Sequence, residues 1–305
     1  MTDDALDQWL THVAAGEALP NEVIRSLAAG RDFLQLGMLA DATRQHWHGT
    51  AATFLRVALW TETQPATEIG SGARELRMAA ARSPLPSALP STLPDAIAAL
   101  EVASAIGGGR AISAFSWSDV ERWSAEAEGT AAVLAQLKRA GLTAVATMPI
   151  DDGLDVDRVV GQLVDAGFSE IRMHVAHAAT HDRVDLWQQV AAAHRRTGAI
   201  RSVNPLPSAV KAGWHTTGYD DVKMVAVARL AVGGVPSVQL DWTRYGPKLA
   251  QVALTVGVDD LDNVSASDAA PEGRRRAPLD EVRRNILSAG FQPVERDGWF
   301  RAVVS

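Results

Sequence analysis

Thr217-Gly-Tyr-Asp-Asp-Val-Lys-Met-Val-Ala-Val-Ala-Arg-Leu230, Val235-Pro-Ser-Val-Gln-Leu-Asp-Trp242, Tyr245-Gly-Pro-Lys-Leu-Ala-Gln-Val-Ala-Leu254 and Gly257-Val-Asp-Asp-Leu-Asp-Asn263 follow one another almost without interruption. The first and third carry apolar residues at helical spacing; the second and fourth are short runs of strand type. They predict a helix over Tyr219–Val232, a strand over Pro236–Asp241, a helix over Pro247–Val256 and a strand over Asp260–Ser265. Helix and strand in alternation imply parallel strands joined by crossover helices.

The same alternation extends toward the N-terminus. Further strands are predicted at Thr53–Trp60, Arg74–Ala79, Arg110–Phe115, Leu142–Met148, Ser169–His174 and Ala199–Asn204. Helices fall between them at Pro94–Ile106, Glu128–Ala140, Val156–Ala166 and Arg183–Thr197, several followed by a glycine placed to stop them: Gly107, Gly141, Gly167 and Gly198. Eight such strands predict an α/β fold, a (β/α)8 TIM-type barrel over residues 50–305, behind a helical lead-in at 1–49. Only residues 61–73 separate the first two strands, which makes the first crossover short. The proline-punctuated Ser83–Pro94 reads as a loop.

Composition excludes several function classes. The chain has 305 residues, a formal net charge of −7 and no cysteine. Without cysteine there is no disulfide, thiolate nucleophile or thiolate metal ligand. The acidic balance argues against nucleic acid as a partner, and Arg274-Arg275-Arg276 is too narrow for a phosphate-backbone footprint. No apolar run approaches the ~20 residues of a membrane span, and the acidic Met1-Thr2-Asp3-Asp4 argues against a signal peptide. A cytoplasmic protein is expected.

The four quoted segments, with the closing Ala289-Gly-Phe-Gln-Pro-Val-Glu-Arg296, resemble the C-terminal region of the radical-SAM family that contains aminofutalosine synthase, cyclic dehypoxanthinylfutalosine synthase and the FO synthase subunits. The resemblance covers residues 217–300. Phe33-Leu-Gln-Leu-Gly-Met-Leu-Ala-Asp-Ala-Thr-Arg44 and His48-Gly49 resemble the family's lead-in, and Trp187 with Ala193-His194 is similar to one of its helices. The resemblance implies a C-x3-C-x2-C loop after the first strand, whose three thiolates hold a 4Fe–4S cluster that cleaves S-adenosylmethionine. Here that place reads Trp60-Thr-Glu-Thr-Gln-Pro-Ala66. The family's Gly-Gly after the second strand is Met78-Ala79-Ala80, and its Gly-Gly-x-Ala-Glu element after the fourth is Met148-Pro-Ile-Asp-Asp152. No cofactor is therefore expected.

Barrel chemistry sits at the C-terminal ends of the strands. Reading those ends gives Trp60, Glu62, Arg77, Trp117, His174, Asn204, Asp241 and Trp242 as candidate ligand-binding residues. His174, His177 and His181 could hold a metal only with a further histidine or a carboxylate such as Asp151 or Asp182. Their spacing suits a loop of scattered histidines better, and no metal is expected. Asp259, Asp260 and Asp262 form an acidic cluster that could serve Mg²⁺, but the resemblance explains it better as the turn into the last strand. No Gly-x-Gly-x-x-Gly, Walker or nucleophile-elbow motif is present. Two function classes remain. One is a non-catalytic homologue, a pseudoenzyme acting as a binding or regulatory partner in menaquinone biosynthesis by the futalosine route, in a homo- or hetero-oligomer with a catalytic paralogue. The other is a SAM-independent enzyme acting on a nucleoside- or chorismate-derived substrate, with Asp241, His174 or Glu62 as acid–base groups.

Overall fold

The computed structural model describes residues 2–60, 69–78, 90–127, 129–177, 183–208, 216–270 and 276–303. The lead-in is three helices rather than one continuous pattern: α1 (Asp3–Ala14), α2 (Asn21–Ala29) and α3 (Phe33–His48). Asp32 starts the third, its carboxylate accepting hydrogen bonds from the main-chain N–H groups of Leu34 and Gln35. Arg44 ties α3 to the barrel: its buried guanidinium donates to the carbonyls of Gly49 and Ala51 and lies 4.0 Å from the Phe291 ring centre.

Eight parallel strands follow: β1 (Ala51–Trp60), β2 (Glu75–Met78), β3 (Ala111–Ser116), β4 (Ala144–Thr147), β5 (Ile171–His174), β6 (Ile200–Asn204), β7 (Ser237–Asp241) and β8 (Asp260–Ser265). Their order, β4-β3-β2-β1-β8-β7-β6-β5, is that of a sheet rolled on itself. The seam between β4 and β5 closes near the C-terminal end, where Ile150 N–H donates to the His174 carbonyl at 2.9 Å and His174 N–H to that of Met148 at 3.3 Å. The result is a nearly closed (β/α)8 barrel, as the alternation in the sequence predicts.

The outer layer is α4 (Leu93–Gly107), α5 (Trp117–Glu126), α6 (Thr130–Arg139), α7 (Val156–Asp165), α8 (Val184–Thr197), α9 (Gly218–Ala231), α10 (Trp242–Leu254) and α11 (Pro278–Ser288). Sequence periodicity misses α5 and α11. The signal for α5 is a capping box, in which Ser116 Oγ accepts from Asp119 N–H while the Asp119 carboxylate accepts from Ser116 N–H. α10 begins earlier than its predicted start at Pro247, because Asp241 caps a turn at Trp242 before the chain kinks at Gly246. Trp117, Trp123 and Trp187 are fully buried between sheet and helices. Among the described residues no helix lies between β1 and β2, and no helix is long and apolar enough to cross a membrane.

A ninth strand, β9 (Gln292–Arg296), is absent from the sequence reading. It pairs with the lower half of β1, Ala51–Leu55, whereas β2 pairs with the upper half, Val57–Trp60. The chain then turns under the barrel. The Asp297 carboxylate accepts from the N–H groups of Trp299 and Arg301, and the Gly298 carbonyl accepts from Arg172 at 2.7 Å inside the lumen. Phe300 lies between two guanidiniums, with Arg296 4.0 Å and Arg172 5.2 Å from its ring centre. The C-terminal hairpin thus stoppers the bottom of the barrel. Gly298 permits this approach, since a Cβ there would press on the Ala111 methyl and stand 2.9 Å from Glu75 Oε2. Gly298→Ala is expected to cost about 1–3 kcal/mol in urea denaturation, the usual cost of overpacking; wild-type stability would show that the hairpin does not seat this deeply.

Candidate functional site

Strand alternation and register decide which side chains enter the lumen. Glu75 and Arg77 of β2 do, and Leu59 of β1 is registered with Arg77. Gln239 pairs with Asp260 and Asp241 with Asp262 across β7 and β8; Arg172 pairs with Ser202 and His174 with Asn204 across β5 and β6. The lumen of this barrel is therefore charged, where such barrels are commonly filled by branched apolar side chains.

Its lower part is a connected lattice. The buried Glu75 carboxylate receives Arg172 at 2.7 Å, Arg77 at 2.7 Å and Ser113 Oγ at 2.6 Å. Burial alone would raise its pKa, but the two guanidiniums outweigh that and hold the carboxyl well below the usual range. Asp260 is likewise buried and held low by Arg296, whose Nε and Nη2 donate to it at 2.6 and 2.7 Å. Gln239 donates to the same carboxylate and accepts from Ser202.

Above this lattice lies the mouth. Arg77 donates to both Asp262 oxygens at 3.0 Å, a bidentate pair. Burial works against the Arg77 cation, yet Asp262 and Glu75 raise its pKa, so the guanidinium stays charged. Asp241 caps α10 by accepting from Arg244 N–H at 2.9 Å, and the Asn263 amide donates to both of its oxygens at 3.2 Å. Burial, and then the neighbouring Asp262, raise the Asp241 pKa. Leu59 is 53 % exposed although it faces the lumen, so the space beside Arg77 is not filled by described side chains. Met148 N–H donates to His174 Nδ1 at 3.4 Å.

Of the residues singled out in the sequence, Arg77, His174, Asn204 and Asp241 face this mouth together. Trp60, registered with Met78, points to the opposite, outer face of β1 and is fully buried. Trp117 and Trp242 are the buried first residues of α5 and α10, and Glu62 lies outside the described residues. Asp151 is committed to structure, accepting from Ala176 N–H, His177 N–H and Arg183. Among the described residues no group of three or more His, Asp or Glu side chains is placed to hold a metal. The acidic cluster at 259–262 is not a turn. Asp260 and Asp262 lie on the lumen face of β8, two residues apart, while Asp259 is paired with the buried Arg229. The missed signal was the period-two spacing of those carboxylates.

No protein-family model matches the chain. It is 30 % identical over 195 residues to a 5-amino-6-(D-ribitylamino)uracil–L-tyrosine 4-hydroxyphenyl transferase of Archaeoglobus fulgidus, covering 54 % of this chain and 57 % of that protein. It is 40 % identical over 96 residues to the aminodeoxyfutalosine synthase of Thermus thermophilus, covering 29 % of this chain and 25 % of that one. The matches thus span less than two thirds of either relative. Among solved structures, the FeFe-hydrogenase maturase HydG covers 96 % of this chain at a TM-score of 0.65, and methylornithine synthase PylB covers 93 % at 0.61, each 13 % identical; these likenesses concern the fold. The chain shares a (β/α)8 barrel fold with both. In sequence the chain, which has no cysteine, is similar to parts of that hydroxyphenyl transferase and of aminodeoxyfutalosine synthase. A cluster held by three thiolates finds no donor in it, and the cofactor of the resemblance does not fit these residues.

Asp241 binds its proton more tightly folded than unfolded, so its ionisation costs stability as pH rises through the folded-state value. Asp241→Asn is therefore expected to raise Tm at pH 7, on the order of 2–4 °C, with a smaller gain at pH 4. A loss of Tm that is the same at both pH values would contradict this electrostatic account.

Proposed function

We propose that this chain is a cluster-free member of its lineage that binds a hydroxylated, nucleoside-like small molecule in the barrel mouth. It performs no radical chemistry, and it serves as a binding or regulatory partner of a cluster-bearing relative in futalosine-type cofactor biosynthesis. The carrying observation is a mouth lined by polar groups held in fixed positions, on a radical-SAM-like scaffold without a single cysteine. The bidentate Arg77–Asp262 pair, Asn204 and Asn263 offer donors and acceptors for ribose and base edges, and Leu59 offers an apolar wall. Kinship with enzymes that carry ribityl and futalosine chemistry in their names supports that ligand class.

A second reading is an enzyme that reuses the mouth without S-adenosylmethionine. It is favoured by the placement of Asp241 at the mouth, held by the Arg244 N–H and the Asn263 amide, with burial and Asp262 shifting its carboxyl upward, the direction that suits a proton-holding group.

Calorimetric titration with adenosine, futalosine-type nucleosides and chorismate derivatives separates these readings. Saturable nucleoside binding without turnover is expected. Leu59→Trp, which fills the lumen without touching the ion pairs, is expected to weaken it about tenfold or more. Binding indifferent to that substitution would move the ligand elsewhere, and turnover abolished by Asp241→Asn would establish the second reading. Copurification with a cluster-bearing homologue tests the partner role; a monomer indifferent to that homologue removes it.

A further inference from the structure

The barrel is laddered on every side but one. Parallel main-chain pairing joins β4 to β3, β3 to β2, β2 to β1, β1 to β8, β8 to β7, β7 to β6 and β6 to β5. Between β4 and β5 there is a single bridge, Pro149 to His174, just beyond the end of β4. Among the described residues no main-chain hydrogen bond joins the two strands below it. Sheet pairing therefore does little to fix this seam.

A side chain fastens it instead. Asp151 follows the bridge, and its side chain is 9 % exposed. The carboxylate accepts from Ala176 N–H at 2.7 Å, His177 N–H at 3.0 Å and the Arg183 guanidinium at 3.2 Å. Arg183 also donates to the His177 carbonyl at 2.6 Å. One carboxylate from the β4 side thus clasps the main chain that leaves β5 and the start of α8, with bonds stronger than neutral ones because both ends of the Arg183 contact are charged.

His174 stands inside that clasp, two residues before Ala176. Its N–H donates to the Met148 carbonyl at 3.3 Å, its carbonyl accepts from Ile150 N–H at 2.9 Å, and its Nδ1 accepts from Met148 N–H at 3.4 Å. Each of these contacts crosses the seam. With Nδ1 an acceptor, the neutral ring carries its proton on Nε2. The register of β5 with β6 sets the same side chain beside Asn204 at the mouth.

We infer that Asp151 is a positioning residue for the mouth: by clasping the seam it fixes where the His174 imidazole stands, and through His174 it sets the affinity of the bound molecule without touching it. The inference rests on the reading that the mouth binds a nucleoside-like molecule. It adds His174 to the groups that meet that molecule, with the Nε2–H as donor to a ribose oxygen or a base nitrogen. Such a contact depends on the shell that holds it, since a donor left loose by about an ångström loses most of its worth.

A double-mutant cycle with adenosine as the probe tests it. His174→Ala and Asp151→Ala are each expected to weaken binding about tenfold, and the double variant no further than either alone, because the clasp acts only through the imidazole. Two independent losses would instead multiply to about a hundredfold. Hydrogen exchange gives a readout without ligand: Asp151→Ala is expected to speed the amides of Ile150, His174, Ala176 and His177 while those of β1 to β3 exchange as in the wild type. Asp151→Asn, which fills the same volume with one acceptor fewer, is expected to show the same pattern more weakly and carries the test where the alanine variant does not fold. Adenosine binding that survives Asp151→Ala, losses that multiply, or seam amides that exchange as in the wild type overturn the inference and leave the nucleoside reading standing. Failure of the wild-type chain to bind adenosine overturns the two together.

Discussion

A charge inside a barrel must find a partner, and much of this structure follows from how Glu75 finds two. Its carboxylate sits among Arg172, Arg77 and Ser113, and through them β2, β3 and β5 are held to one another across the lumen. Arg77 passes the connection to Asp262 on β8, and Arg172 passes it to the Gly298 carbonyl of the C-terminal hairpin. A buried pair of this kind is not a large source of net stability, because desolvation consumes most of the attraction. Its effect is on specificity. Losing one member leaves a charge stranded, so the elements that supply those members are bound to one arrangement.

That arrangement also determines where chemistry can occur. The lattice and the hairpin fill the lower lumen, and open space begins only at the level of Leu59 and Arg77. Among the described residues the mouth above them is polar, and the chain has no cysteine to offer a thiolate. HydG shares the barrel, and the curated relatives share part of the sequence, but the described residues at this mouth are carboxylates, a guanidinium and amides, and the chain has no cysteine. A shared fold does not by itself carry a shared function.

The barrel was legible in the sequence because apolar strand runs and amphipathic helices alternate so regularly from Thr53 to Ser265. The lumen was only half legible. Arg77, His174, Asn204 and Asp241 stand at strand ends, where barrel geometry directs attention. Glu75, Arg172 and Asp260 lie deeper in strands, where a charge is read as an interruption until its partner across the barrel is known. Trp60 illustrates the opposite error of reasoning: a large aromatic at a strand end invites a functional role, yet one residue of register turns it outward. The hairpin at 292–303 gave little signal, since Gln292-Pro-Val-Glu-Arg296 is polar and its pairing with the distant β1 is a long-range event.

The central claim is that the inner groups of this barrel, and not iron, meet its ligand. Anaerobic incubation of the whole chain with ferrous iron and sulfide, followed by desalting and absorbance spectroscopy, tests it most directly. The account predicts a colourless protein with no bound iron or sulfide. A brown protein that keeps stoichiometric iron and shows the charge-transfer bands of a cubane cluster would contradict it.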